Sequence, residues 1–150
     1  MKIVMGSDHA GFDLKNHLAE HLRSQGHEVI DVGAHSTESV DYPTYGAKAA
    51  RTVASGEADR AILVCGTGQG IGMAANKVPG VRCAIVSDPY SAKLSREHND
   101  ANALAIGARV VGAGVAEDII DIWTTTEFLG GRHGRRVSML AELDSIEPGE

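Results

Sequence analysis

Apolar residues fall along this chain in short dense runs, separated by longer stretches of helical periodicity. The first run, KIVMG at residues 2–6, ends in small and polar residues and reads as a strand. Over residues 11–25 the apolar positions Phe12, Leu14, Leu18 and Leu22 recur near helical spacing, and Gly26 closes the segment. EVIDVG is a second strand, and the alanine-rich residues 41–55 form a helix ended by Gly56. RAILVC is the third and most apolar strand, followed by a helix in GIGMAANKV that stops before Pro79. VRCAIVSD is a fourth strand, and Pro89 suits the first turn of the helix in PYSAKLSREH. NALAIGARVV reads as a fifth strand. Residues 113–125 form a helix with Val115, Ile119, Ile122 and Trp123 on one face, and a last helix runs over residues 134–143.

Strands nearly continuous in Val, Ile, Leu and Ala, alternating with helices, predict an α/β fold whose parallel sheet is covered on both faces. No repeat, low-complexity stretch or linker interrupts the pattern. The expectation is one domain over residues 1–143, with DSIEPGE at 144–150 as a frayed tail.

Composition narrows the function classes. The chain has 150 residues, 43% of them apolar, and its 18 glycines suit a turn-rich α/β domain. A formal net charge of −6 argues against a general nucleic-acid binder. No apolar run approaches the length of a membrane span, and the N-terminus lacks a signal-peptide layout. Cys65 and Cys83 form no CxxC pair, which points to free thiols in a reducing compartment and so to a cytoplasmic enzyme.

In open parallel sheets ligands bind beyond the carboxyl ends of the strands. There the chain carries Ser7-Asp8-His9, Gly33-Ala34-His35, Cys65-Gly66-Thr67, Ser87-Asp88 and Gly107-Ala108-Arg109. The richest segment is CGTGQGIG, residues 65–72. Gly70, Gly72 and Ala75, with Asp88 at the end of the next strand, give a degenerate dinucleotide pattern. It begins five residues past Cys65 and not at the first βα turn, and no P-loop motif is present. The other reading is a nest of backbone N–H groups around Gly66, Gly68, Gln69 and Gly70, which favours a phosphate or an oxygen that becomes anionic during reaction. Close strand–helix packing is the bland account of the same glycines.

Cys65 stands at the mouth of that nest. Helix N-termini favour thiolates, so Cys65 could serve as nucleophile or general base, or be a small buried residue at a strand end. Cys83, mid-strand, reads as packing. His9 and His98 lie near strand boundaries and are the histidines expected to move protons, while His17, His21, His27 and His35 read as surface. Arg132 and Arg136 share a helical face, which suits either a phosphate between them or a solvated basic helix end. Arg109 could add a third cation, and Tyr42 could wall the site or simply pack.

Taken together, GSDHAGF, DYPTY, CGTGQGIGMAANK, SREHNDANALAIGARVVG and GGRHGRRV resemble the ribose-5-phosphate isomerase B family, which includes galactose-6-phosphate isomerase subunits. The similarity runs over residues 2–143, with the motifs in order. It implies a three-layer α/β/α, Rossmann-like fold with a five-stranded parallel sheet, whose C-terminal helix packs at the dimer partner. It also implies interconversion of an aldose phosphate and a ketose phosphate through a cis-enediolate, without metal or other cofactor. Ribose 5-phosphate, of the pentose phosphate pathway, is the first choice of substrate, with allose 6-phosphate and galactose 6-phosphate as alternatives.

By position the resemblance makes Cys65 the proton-abstracting base and puts Thr67 and the amides of residues 66–70 around the oxyanion. His98 opens the sugar ring, Asp8, His9 and Asn99 contact the sugar, and Arg109, Arg132 and Arg136 contact phosphate and substrate. Family members are dimers or larger, with sites shared across the interface. One branch uses a glutamate in the glycine loop as base. This chain has Ile71 there and keeps Cys65, as in the cysteine branch. Two readings from other classes stand beside the isomerase: a non-catalytic phosphate- or nucleotide-binding module, and a thiol-dependent redox or acyl-transfer enzyme.

Overall fold

Side chains alternate across a strand, so a strand covered on both faces sorts its residues between two cores. The strands of this chain do so in the computed structural model, which describes residues 1–147 and 149. The elements are β1 (Lys2–Ser7), α1 (Phe12–Ser24), β2 (Glu28–Asp31), α2 (Tyr42–Ala54), β3 (Arg60–Cys65), α3 (Gln69–Ala75), β4 (Cys83–Ile85), α4 (Pro89–Glu97), β5 (Ala103–Gly107), α5 (Ala113–Thr125) and α6 (Arg132–Leu143). The five strands form one parallel sheet in the order β2-β1-β3-β5-β4.

Ile3, Met5, Ile62, Val64, Leu104 and Ile106 point to one face, where Leu18 and Leu22 of α1, Ala92 of α4 and Ile119 and Trp123 of α5 complete a core. Val4, Ala61, Leu63, Cys65, Ala103 and Ala105 point to the other, against Ala49 and Ala50 of α2 and Ile71 and Ala75 of α3. The three-layer α/β/α arrangement read from the sequence is therefore the observed one. The second face is built from small residues, so its helices sit close. A Cβ on Gly46 of α2 would lie 2.8 Å from the Ile71 carbonyl oxygen of α3.

Several boundaries differ from expectation. The fourth strand shrinks to Cys83–Ile85, at the sheet edge where only one neighbour holds it. α3 ends at Ala75, well before Pro79. α6 begins at Arg132, two residues before the expected start. On α5, Val115 is exposed, and the buried face runs through Ala116, Ile119, Ile120 and Trp123, because the helix is covered by both α4 and α1. Of the expected tail, Pro148 and Glu150 lie outside the described residues. Asp144 accepts a hydrogen bond at 2.8 Å from the Gly80 amide.

Lys15 is fully buried on the apolar face of α1. Its Nζ donates to both Asp31 carboxylate oxygens at 2.7 and 2.8 Å and to the Ala34 carbonyl at 2.8 Å. This ion pair fastens α1 to the end of β2 and to the segment that follows it. That segment is also tied to β1, since the Ser7 amide donates to the Gly33 carbonyl and the Ala34 amide to the Ser7 carbonyl.

Candidate functional site

The carboxyl ends of β1, β3 and β5 converge on Cys65. Its side chain is 4% exposed, on the small-residue face, and the Gly68 amide donates to Sγ at 3.2 Å. Gly68 adopts a left-handed conformation at φ 80°, and a Cβ there would lie 2.9 Å from the Ile106 carbonyl carbon of β5. Only glycine fits both demands, and the turn in this form brings its amide onto the sulfur. The Gln69 amide donates to Thr67 Oγ1 at 3.3 Å. The Tyr42 ring packs against Gly70, whose added Cβ would be 2.5 Å from Tyr42 Cζ. Above Gly66 lies the Arg109 guanidinium, and the Arg109 amide donates to the Gly66 carbonyl at 3.0 Å.

Asp8 and His9 join from β1. Asp8 is buried; its Oδ1 accepts from the Gly11 amide at 3.0 Å and its own amide donates to Val64. His9 Nδ1 accepts from the Val40 amide at 3.2 Å, which puts the proton of a neutral His9 on Nε2. Gly70, Gly72 and Ala75 lie inside α3 and not in the turn before it. Gly72 serves packing, with an added Cβ 2.5 Å from Ile85 Cγ1, so the dinucleotide pattern has no structural counterpart. Ile71, at the position of the glutamate in the other branch, is fully buried in the core.

Cys83 sits in the same core with burial pushing its thiol up to about 12, which leaves it unreactive at neutral pH.

The remaining candidates assemble elsewhere. β4 and β5 are parallel, so α4 must run back to the amino edge of the sheet before β5 can begin. His98 and Asn99, at its C-terminal end, therefore lie at that edge. Arg82, just before β4, donates from Nε to the Asn99 carbonyl at 3.2 Å and from its amide to Asn102 Oδ1 at 2.7 Å. Arg132 and Arg136 of α6 belong to the same group, through the stack of His133 on His98 with ring centroids 4.2 Å apart. From Ala103 to Gly107 the sheet spans about 13 Å of strand, and this separates the arginine pair and His98 from Cys65 of the same chain.

Sequence reasoning passed over His133, which is buried. Loss of water, then His98, Arg132 and Arg136, hold its imidazole below the ordinary histidine value. The signal that could have found it is the Gly130-Gly131 pair before α6. Both have positive φ, at 67° and 57°, and they fold the first turn of α6 onto α4. Lys15 was also missed, although it stands at an apolar position of α1 between Leu14 and Leu18. Of the histidines read as surface, His17 and His35 are exposed. His21 is half-buried and bonds Asp121 of α5 at 2.8 Å, and His17 bonds Glu117 at 2.6 Å. Among the described residues no group of three or more His, Cys, Asp or Glu is placed to hold a metal ion, and no helix is long and apolar enough to cross a membrane.

A doubly wound parallel sheet carries a thiol held in a glycine turn at its carboxyl edge and a cluster of arginines and histidines at the other, on an α/β fold of the ligand-binding class. A ribose/galactose isomerase family model matches residues 3–140. The ribose-5-phosphate isomerase B of Escherichia coli is 50% identical over 143 residues, covering 95% of this chain and 96% of that one. A galactose-6-phosphate isomerase subunit of Clostridium acetobutylicum is 44% identical, over 85% of this chain and 74% of its own. Among solved structures, Clostridium thermocellum ribose-5-phosphate isomerase B superposes with a TM-score of 0.95 at 56% identity, covering 96% and 97% of the two chains. The chain belongs to the ribose/galactose isomerase family and is an isomerase. That finding sets aside the non-catalytic binding module and the redox or acyl-transfer enzyme.

Proposed function

We propose that this isomerase interconverts ribose 5-phosphate and ribulose 5-phosphate, with Cys65 as the base. The observation that carries the reading is the Cys65 thiol, held by the Gly68 amide at 3.2 Å at the carboxyl edge of β3. That contact strengthens when the sulfur carries negative charge. Cys65 takes the proton from C2 of the open-chain aldose, and the C1 oxygen gathers charge beside Thr67 and the amides of the glycine turn. The same thiol returns the proton to C1 of the cis-enediolate, while the C2 hydroxyl proton passes to the C1 oxygen. One base serving two adjacent carbons requires that the substrate be held still, and an anchored phosphate supplies that orientation. Asp8, His9, Tyr42, Gln69 and Arg109 surround the sugar.

The reading extends to a second copy of the chain. His98, Asn99, Arg132 and Arg136 lie at the opposite edge of the sheet from Cys65, so a site that uses both groups is completed by a partner subunit. Exposed Met139, Leu140 and Leu143 on α6 support the packing of that helix against the partner. In the closed dimer His98 opens the sugar ring, and Arg132 and Arg136 hold the phosphate. The E. coli relative favours ribose 5-phosphate, and the galactose-6-phosphate isomerase subunit keeps a hexose phosphate as the alternative.

The deciding experiment compares turnover of ribose 5-phosphate, allose 6-phosphate and galactose 6-phosphate by the wild type and by Cys65→Ala. Highest kcat/KM on the pentose, lost in the variant, is expected. Preference for a hexose phosphate overturns the substrate, and full activity of Cys65→Ala overturns the base.

A further inference from the structure

We propose that His133 is a positioning residue for His98, whose ring it holds in place by stacking. The inference rests on the ring-opening role proposed for His98. The rings stack with centroids 4.2 Å apart and planes 9° from parallel, and His133 is buried while His98 is half-exposed. A buried flat ring pressed on an exposed one fixes the plane in which the exposed one can give and take a proton.

The surroundings of His133 disfavour a charge on its ring. His98 is the C-cap of α4. His133 lies in the first turn of α6, where the positive end of the helix disfavours imidazolium. Arg132 and Arg136 add positive charge beside His133. Glu97 of α4 is the acidic group facing the pair, and it is already engaged with Lys93 at 3.5 Å. A neutral His133 therefore adds no charge of its own to the stack. The Leu129 amide, donating to the Glu97 carbonyl at 3.1 Å, locks the turn that brings the rings together.

Ring opening needs a group that gives a proton to the ring oxygen, and a His98 ring held in one plane can be aimed at it. Ribulose 5-phosphate cannot close onto its esterified 5-oxygen, so it reaches the base without ring opening. Deuterium uptake at its C1 in D2O therefore reports Cys65 alone, whereas turnover of ribose 5-phosphate reports both residues. In His133→Ala, kcat on ribose 5-phosphate should fall about tenfold while C1 exchange at saturating ribulose 5-phosphate changes less than about threefold. His133→Phe, which keeps a flat ring, should recover kcat to within about threefold of the wild type. In NMR spectra the His98 ring signals should shift and broaden in His133→Ala, as a ring released from its stack does.

Equal loss of exchange and turnover in His133→Ala overturns the proposal, as does a His133→Phe no better than His133→Ala. So do His98 ring signals that are unchanged in His133→Ala. A wild type that neither converts nor exchanges the pentose phosphates sinks the proposed function instead, and the His98 ring signals still decide whether His133 holds that ring.

Discussion

Gly68→Ala, set against Gly56→Ala, isolates what the glycine turn beneath Cys65 requires. Both glycines have φ of +80°, so the cost of forcing a left-handed residue to carry a Cβ is shared between them. That cost is about 1–2 kcal/mol. At Gly56 the added methyl meets nothing within 4 Å, so the backbone penalty is the whole effect. At Gly68 it would sit 2.9 Å from the Ile106 carbonyl carbon and 3.1 Å from its Cα and N, which are backbone atoms of a central strand and cannot step aside. Overpacking of this kind adds about 1–3 kcal/mol, giving roughly 2–5 kcal/mol in all. For a chain of this length Gly56→Ala should lower Tm by about 3–5 °C and Gly68→Ala by about 5–15 °C at equal protein concentration. The turn must also shift away from β5, carrying its amide off the Cys65 sulfur. A displacement of about 1 Å at such a group costs on the order of a hundredfold in kcat, whereas Gly56→Ala should keep full turnover. Thermal melts and steady-state kinetics on the two variants make the comparison. Equal Tm values and an unchanged kcat for Gly68→Ala would refute the argument that this turn is both sterically obligatory and coupled to the thiol.

Other outcomes follow from the same geometry. Cys65→Ala and His98→Asn should each be inactive, yet their mixture after dissociation and reassociation should recover about a quarter of wild-type activity, because half the dimers are mixed and each has one intact site of two; a mixture that stays inactive rules out shared sites. Arg136→Ala should raise KM for the sugar phosphate far more than it lowers kcat, as loss of a phosphate contact does, and an unchanged KM counts against the assignment. Lys15→Met leaves the buried Ala34 carbonyl and the Asp31 carboxylate without their cation, and a stability loss of about 3–5 kcal/mol in urea unfolding is expected. Asp88 caps α4 by accepting from the Ser91 amide at 2.7 Å, and that bond holds its carboxyl below the ordinary aspartate range. A carboxyl depressed by folding stabilises above its unfolded pKa and loses that contribution as pH falls through the folded one. Asp88→Ala should therefore lower Tm at pH 7, with the difference from wild type shrinking below about pH 4; a difference independent of pH is the contrary result.

The layers were legible because dense apolar runs and period-3.6 patterns act locally, and the strand-end residues followed from them. Strand order was not, because β5 enters between β3 and β4 for reasons of crossover packing that no single segment records. Val115 was misplaced on α5 because the helix is covered from two directions, which a one-stripe pattern does not describe. Cys65 stood out through its glycines. His133 did not, because flanked by arginines it has the composition of a solvated helix end, and its burial comes from a turn that folds α6 onto α4. Lys15 read as polar although its spacing was apolar, since its partner Asp31 lies on a different element.

The two faces of the sheet should also differ in how much change they tolerate over time. On the side of Leu18, Leu22, Ile119 and Trp123, large flexible groups can trade volume with one another. On the side of Cys65 the contacts are Ala61, Ala103 and Ala105 against Ala49, Ala50 and Ala75, with Gly46 and Gly72 meeting their neighbours too closely for a single added carbon. There is no slack there to redistribute. Drift on the first face spends stability, whereas drift on the second moves α3 and with it the thiol's surroundings. A saturation library scored separately for folding and for turnover should show this as an imbalance between the two sides of one sheet.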